Sequence, residues 1–440
     1  MKKFQYIVSA LGIAVLGGIF YFNLKVNTAY GLLAAVMCVT VFAVLCLRFL
    51  PVWVGEWTER KEIKDTGDEP ENMGVKIFVS LILWSILVML LHFVLRGILQ
   101  GETNFINDVY SWNCTDSMHY LSIAREGYLS WGEWDKMVLL VFLPGYPMVV
   151  GLINKLVGNM VFSAMLVSAV CFALSGCVLY RLARLDYNHR DSLRSVKYLC
   201  ILPAAFFFTA PMSESLFLLC CLYCVYFVRK GKITVGCLFG CMAAFTRSLG
   251  VILVAVLLFD FIAEFIRNHD VKSFAKNCLN LIMIPLGFGL YCYINYDISG
   301  EFFKFMEYQK LHWGQSFGWF FNTPAYQTEY AVSAFSENSA IFFGLWLPNL
   351  IAIFASLVIM VLAVKKIKGS YTAYFIGYFV ISIGATWLLS APRYMTACFV
   401  LPIALSQITK NKKADFCVSA FCLLGYLLYF IAFVNRWQVW

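Results

Sequence analysis

Runs of about twenty mostly apolar residues recur along this chain, and such a run is what crosses a bilayer, because lipid tolerates only backbone whose hydrogen bonds are closed within the segment. Thirteen runs are expected to span, at approximately 5–22, 29–49, 76–96, 158–182, 196–210, 212–228, 233–247, 249–266, 277–296, 340–363, 371–390, 393–409 and 415–434. Little chain is left for an aqueous domain. Of the 440 residues, 61% are hydrophobic and 13% charged, against roughly 45–50% and about 25% in a soluble domain. The expected fold class is an all-α polytopic membrane protein with short connections.

Two connections break that pattern. Residues 97–157 and 297–339 are too long for hairpin turns and too apolar for disordered linkers. The first includes Leu139–Val157, which has the length of a span but is interrupted by Pro144, Gly145 and Pro147. Charge argues the same way. With the amino terminus inside and 139–157 kept out of the membrane, 24 lysines and arginines fall inside, among them Arg60, Lys61 and Lys64, and 10 fall outside. Positive residues concentrate on the inner side of short loops. A span at 139–157 would move the Arg181, Arg184, Arg190, Arg194 and Lys197 group to the other face. Both long connections are therefore expected outside.

The net charge of +9 lies in small groups between apolar runs, so it is a topology signal and nucleic acid is not an expected partner. Most of the sixteen cysteines, such as Cys38, Cys171 and Cys221, sit inside apolar runs without metal-ligand spacing and read as small core residues. Residues 1–22 have a basic start and an apolar stretch but no small-residue cleavage site, and are expected to be a retained first helix.

The polar clusters that remain share the outer face. In Trp112-Asn-Cys-Thr-Asp116-Ser-Met-His119-Tyr120, helical spacing places Asp116, His119 and Tyr120 on one side of a turn. A carboxylate beside a histidine suits a general base acting on a hydroxyl, and the same Asp116, or Thr115, suits a helix cap. Asn113-Cys-Thr115 also matches a glycosylation sequon. Next comes Phe142-Leu-Pro144-Gly145-Tyr146-Pro147, a bent backbone. Glu214, in Pro211-Met-Ser213-Glu214-Ser215, is either a paired carboxylate near the membrane edge or a second cap. Arg247, in Thr246-Arg247-Ser248-Leu-Gly250, and Arg393, in Pro392-Arg393-Tyr394, carry planar forks that suit a phosphate at headgroup level or lipid headgroups themselves. In the second long connection, His312 and Trp313, with Trp319 beyond, form either an aromatic platform for a sugar ring or part of the interfacial belt. No nucleotide-phosphate loop and no metal-ligand spacing occur, so neither a metal nor another cofactor is expected.

The order Asp116-x-x-His119-Tyr120-Leu-x-Ile-Ala-x-x-Gly127-Tyr128, Phe142-Leu-Pro-Gly-Tyr-Pro147, Ser213-Glu214-Ser215, Thr246-Arg247-Ser-x-Gly250 resembles the PIG-V-like mannosyltransferases, the GPI mannosyltransferase 2-like family. The resemblance runs from about residue 76 onward, so 1–75 is expected to be two additional transmembrane helices and a cytoplasmic loop, and 76–440 the catalytic domain. It implies a GT-C-type glycosyltransferase fold of about 13 transmembrane helices, a catalytic carboxylate in the first large outer loop, and a sugar donor carried on a polyprenyl phosphate. In that reading Asp116 is the base, with His119 beside it. Tyr120, Tyr146, Glu214, Arg247, Arg393, His312 and Trp313 line the substrates, the two arginines serving the lipid phosphate. The family usually places Trp immediately before the Asp, where this chain has Thr115.

The activity so implied is transfer of a hexose, mannose first, to a lipid-linked or cell-surface glycan or glycolipid, by direct displacement with inversion. The competing class is a transporter or lipid flippase, which repeats between the halves and central acids would mark; no convincing repeat is found and the spans are nearly free of such acids. Short loops and basic turns suggest a bacterial plasma membrane with the site facing outward, or the endoplasmic reticulum with a luminal site if the source is eukaryotic.

Overall fold

A computed structural model describes residues 2–58, 70–128 and 136–439. Arg60, Lys61 and Lys64 of the first inner loop, and 129–135 of the first long connection, lie outside the described residues. Among the described residues the regular structure is helical, apart from one isolated antiparallel bridge between Phe317 and Ala385. Eight helices are long and apolar enough to cross a membrane: Lys3–Asn23, Ala29–Thr58, Met73–Gln100, Met160–Arg184, Ser248–Asn268, Val271–Ser299, Ser339–Ala363 and Lys412–Val434. Ile233–Thr246 and Gly369–Ile383 are shorter apolar helices. The chain is an all-α, multi-pass integral membrane protein.

Eight of the thirteen expected runs are long helices, three are shorter uninterrupted ones, and two are broken for a physical reason. The stretch expected at 196–210 is a helix, His189–Ile201, followed past Pro203 by a 3-10 turn, Ala205–Phe208. The stretch expected at 393–409 is likewise split, into Ala391–Thr396 and Val400–Ile408. Tyr198, Phe206, Phe207, Cys398 and Phe399 at these breaks are fully buried. Helix interruptions are tolerated at membrane depth where protein, not lipid, surrounds the freed backbone. Glu214–Arg229, at 16 residues, stands beside them in the same core. The periphery behaves oppositely: Lys3–Asn23 buries none of its span.

Leu139–Val157 does not form a span. A 3-10 turn, Lys136–Val141, leads into a helix, Gly145–Val157, of 13 residues. At 1.5 Å per residue that is about 20 Å, short of the ~30 Å of hydrocarbon.

Polar contacts sort the structure into two ends. Arg229 pairs with Asp186, Lys368 with Asp260, Lys197 with Asp415 and Lys410 with Asp191. Seven of the eight residues belong to connections or helix ends assigned to the basic side, and Asp260 stands two turns inside the helix Leu253–Asn268. At the other end Asp116 meets Arg393, Glu214 meets Arg247, and Glu329 takes the Asn27 backbone N–H at 2.8 Å. Among the described residues, no ion pair joins the two groups. The second helix is built into the bundle: Glu56 Oε2 accepts the Gly369 N–H at 2.9 Å, at the start of Gly369–Ile383.

Candidate active site

Asp116 opens the helix Asp116–Glu126, which also carries His119 and Tyr120. Neither Thr115 nor Asp116 caps it, since the N-cap makes no side-chain hydrogen bond. Thr115 instead adopts φ 54°, ψ −133°, a backbone state that costs a β-branched residue on the order of 1–3 kcal/mol. The turn is held by Ser117, whose hydroxyl donates to the Cys114 carbonyl at 2.6 Å and to Asn113 Oδ1 at 3.2 Å. The sequon asparagine is thus knitted into the turn. Trp112, fully buried, seats the turn from below.

Four charged side chains then alternate in sign. Arg393 Nη2 donates to Asp116 Oδ2 at 2.6 Å, and its Nε lies 3.3 Å from Glu214 Oε1. Arg247 donates to the same Glu214 oxygen and to Ser213 Oγ at 3.1 Å. The Ser213 hydroxyl shares a 3.1 Å hydrogen bond with the Tyr120 hydroxyl, tying the Asp116 helix back to Glu214. Tyr394 lies beneath both guanidinium groups, at 4.9 Å from Arg247 and 5.9 Å from Arg393, a cation–π arrangement. Glu214 and Arg393 are closed off, with side chains 2% and 5% exposed, whereas Asp116 is 25% exposed. The network has one open end, and it is the Asp116 carboxylate.

Burial pushes the Asp116 carboxyl up, and the Arg393 guanidinium, with smaller help from His119 and Arg247, more than offsets it. The carboxyl ends below its ordinary range. Burial lowers the His119 imidazole, against a weaker upward pull from Asp116, so His119 is neutral near pH 7. Its ring stacks on Phe142 at 4.7 Å and meets Trp313 edge-on at 6.2 Å.

Two close approaches bring the motifs together. A Cβ on Gly145 would stand 2.4 Å from Thr246 Oγ1 and 2.9 Å from its Cα. The Pro-Gly-Tyr-Pro bend therefore lies directly on the residue before Arg247. A Cβ on Gly250 would come within 2.3 Å of the Ala244 nitrogen. The chain can fold back there, from helix Ile233–Thr246 into the 3-10 turn Ser248–Ile252, only with hydrogen at that position.

The structure thus gathers Asp116, His119, Tyr120, Glu214, Arg247, Arg393 and Trp313. Tyr146 stands behind this group: its ring meets Tyr120 edge-on at 5.6 Å, but its hydroxyl donates to the Ala164 carbonyl and bonds Ser168, both at 3.0 Å. His312 is one ring further out, stacked on Tyr308 at 5.6 Å. Glu214 pairs with both arginines, and Arg393 also with Asp116. Residues outside the sequence reading complete the site: Ser390 accepts from Arg393 at 3.3 Å, Met212 Sδ lies 3.2 Å from its Nη1, and Phe207 lies 5.6 Å beneath its guanidinium. A further pair, His92 Nδ1 and Asp108 Oδ1 at 2.8 Å, is fully buried beside Trp112, whose ring is 4.5 Å from His92. Such partners carry no motif; only a histidine inside an apolar run marked His92.

A cavity of about 430 Å³ lined by Arg229, Asp260, Glu264, Arg267 and Lys368 opens at the other end of the bundle. Arg229 ends the helix that Glu214 begins, a separation of about 22 Å. The charged network and the cavity therefore stand at opposite ends of that helix.

Among curated proteins no sequence is significantly similar to this chain. Structures with a related course of backbone include that of ArnT from Cupriavidus metallidurans bound to undecaprenyl phosphate, 14% identical, covering 84% of this chain and 78% of that one at a TM-score of 0.49. The archaeal oligosaccharyltransferase AglB from Archaeoglobus fulgidus, in complex with an inhibitory peptide and a dolichol-phosphate, is 10% identical and covers 84% of this chain and 56% of that one at a TM-score of 0.35. Residues 144–287, about a third of the 440, match the model of the dolichyl-phosphate-mannose-protein mannosyltransferase family, in a segment that holds Tyr146, Glu214 and Arg247 and leaves Asp116 and Arg393 outside.

Proposed function

We propose that this protein is a membrane glycosyltransferase of the GT-C type that transfers a hexose from a polyprenyl-phosphate donor to a glycan or glycolipid acceptor. The observation that carries this reading is the partly open carboxylate of Asp116, backed by the buried Arg393 and the largely enclosed Arg247 on one face of the membrane bundle. The family match over 144–287 supports the donor class, and with the PIG-V-like motifs it favours mannose as the sugar.

The donor's isoprenyl tail lies between helices, with its phosphate at Arg393 and Arg247. Asp116 takes the proton of an acceptor hydroxyl as the acceptor oxygen bonds the anomeric carbon. The bond from that carbon to the phosphate oxygen breaks, and polyprenyl phosphate leaves with the electron pair, inverting the carbon. Neutral His119, Tyr120 and Trp313 border the sugar. The site faces outward from a bacterial plasma membrane, or into the lumen of the endoplasmic reticulum in a eukaryote. A transporter reading is disfavoured by where the charges stand: Glu214 begins one helix and Arg247 follows the end of another, so the network is at an end of the bundle and not at its middle.

The test is transfer in membranes supplied with polyprenyl-phosphate mannose. Asp116→Asn lowers the rate at least about a hundredfold, while retained activity would sink the assignment. Mass spectrometry of surface and lipid-linked glycans from a deletion strain, showing one missing hexose, identifies the acceptor.

A further inference from the structure

Both arginines proposed to hold the donor phosphate are already paired with carboxylates. Arg247 is bonded to Glu214 and Ser213, and Arg393 to Asp116, Ser390 and Glu214. A phosphate that takes Arg393 Nη2 must displace the Asp116 carboxylate, and the two carboxylates differ in how they are held. Glu214 is enclosed and touches both guanidinium groups. Asp116 is partly open to solvent and is held by one guanidinium nitrogen. A lipid-borne anion arriving from the open side meets the Asp116 contact first.

We infer that the donor phosphate and the Asp116 carboxylate compete for the Arg393 guanidinium, so that donor binding is what releases Asp116 to act on the acceptor. The inference rests on the glycosyltransferase reading and deepens it. A carboxylate held by a guanidinium is a poor proton acceptor, because its charge is already satisfied. Once phosphate oxygens occupy the Arg393 fork, Asp116 keeps only the neutral His119 and the more distant Arg247 near it. It then faces the acceptor hydroxyl as an unpaired anion. Glu214 stays in place and holds both arginines in register, so the site keeps its shape while one bond is exchanged. The consequence is an order of events: donor first, acceptor deprotonation second. The acceptor is not activated in an enzyme that lacks donor, which guards the site against idle proton transfer.

The test is equilibrium binding of undecaprenyl phosphate to the full chain in nanodiscs. Asp116→Asn keeps the shape of the side chain and removes the competitor, so the inactive variant binds the lipid roughly tenfold more tightly than the wild type. Glu126→Gln, an exposed carboxylate at the far end of the same helix, leaves binding unchanged, and Arg393→Ala abolishes it. Equal or weaker binding by Asp116→Asn overturns the competition, as does equal tightening by Glu126→Gln, which would report net charge alone. If the wild type does not bind the lipid at all, the glycosyltransferase reading itself falls.

Discussion

Arg393 donates to Asp116 at 2.6 Å across 277 positions of chain, and this bond holds the Asp116 carboxyl below its ordinary range. A carboxylate whose folded-state pKa is depressed adds stability that is complete above its unfolded value, near 3.8, and is lost as pH falls through the lower folded value. The thermal midpoint of the wild type is therefore expected to exceed that of Asp116→Asn by a constant margin from pH 8 to about pH 5. The margin shrinks below about pH 4. Thermal unfolding of both proteins across pH measures it, and a margin that widens on acidification contradicts the pairing.

Glu214 is the costlier carboxylate to remove. Its loss leaves Arg247 without its carboxylate and Arg393 with Asp116 alone, so Glu214→Ala is expected to destabilise the protein by about 3 kcal/mol. Asp116→Ala strands only the partly open end of the network and costs less. Recovery of monodisperse protein and its unfolding midpoint in detergent compare the two; an Asp116 variant as unstable as the Glu214 variant would reverse the ranking.

Gly145 has no room for a methyl group above Thr246. Gly145→Ala is expected to cost roughly 1–3 kcal/mol through overpacking and to lower transfer by shifting Arg247. Adding Thr246→Ala removes the closer clash, with Oγ1, but not the one with Cα. The double variant thus regains part of the lost midpoint. No recovery would mean that the bend acts elsewhere.

His92 and Asp108 form a buried pair under the Trp112 turn. His92→Leu leaves Asp108 facing only Arg96, at 3.5 Å, and is expected to destabilise by about 1–3 kcal/mol. Because Trp112 seats the turn that carries Asp116, the turnover rate falls more than donor affinity does. Steady-state kinetics separate the two, and a change confined to donor affinity would reject this role.

The spans and the polar clusters were legible because each is a local property of sequence. The break at Pro144, Gly145 and Pro147, together with the distribution of lysines and arginines, kept Leu139–Val157 from being read as a crossing, and the 13-residue helix there agrees. The partners were not legible. Nothing in Pro392-Arg393-Tyr394 indicates that its arginine meets Asp116, because that contact depends on how helices pack and not on spacing. For the same reason Arg247 and Arg393 read as headgroup or phosphate ligands, and the structure shows both already held by carboxylates. The broken helices at Pro203 and Ala397 read as continuous spans because hydropathy does not distinguish a segment facing lipid from one enclosed by protein.

The alternating charges come from four widely separated parts of the chain, and translation delivers them in order: Asp116, Glu214, Arg247, then Arg393. Until the last of these is inserted, two acids share one base at the membrane edge. A nascent protein halted before residue 393 therefore carries an unbalanced negative charge where the finished one is neutral. Late truncations should mark the protein for quality control even though nearly all of its long crossings are already made.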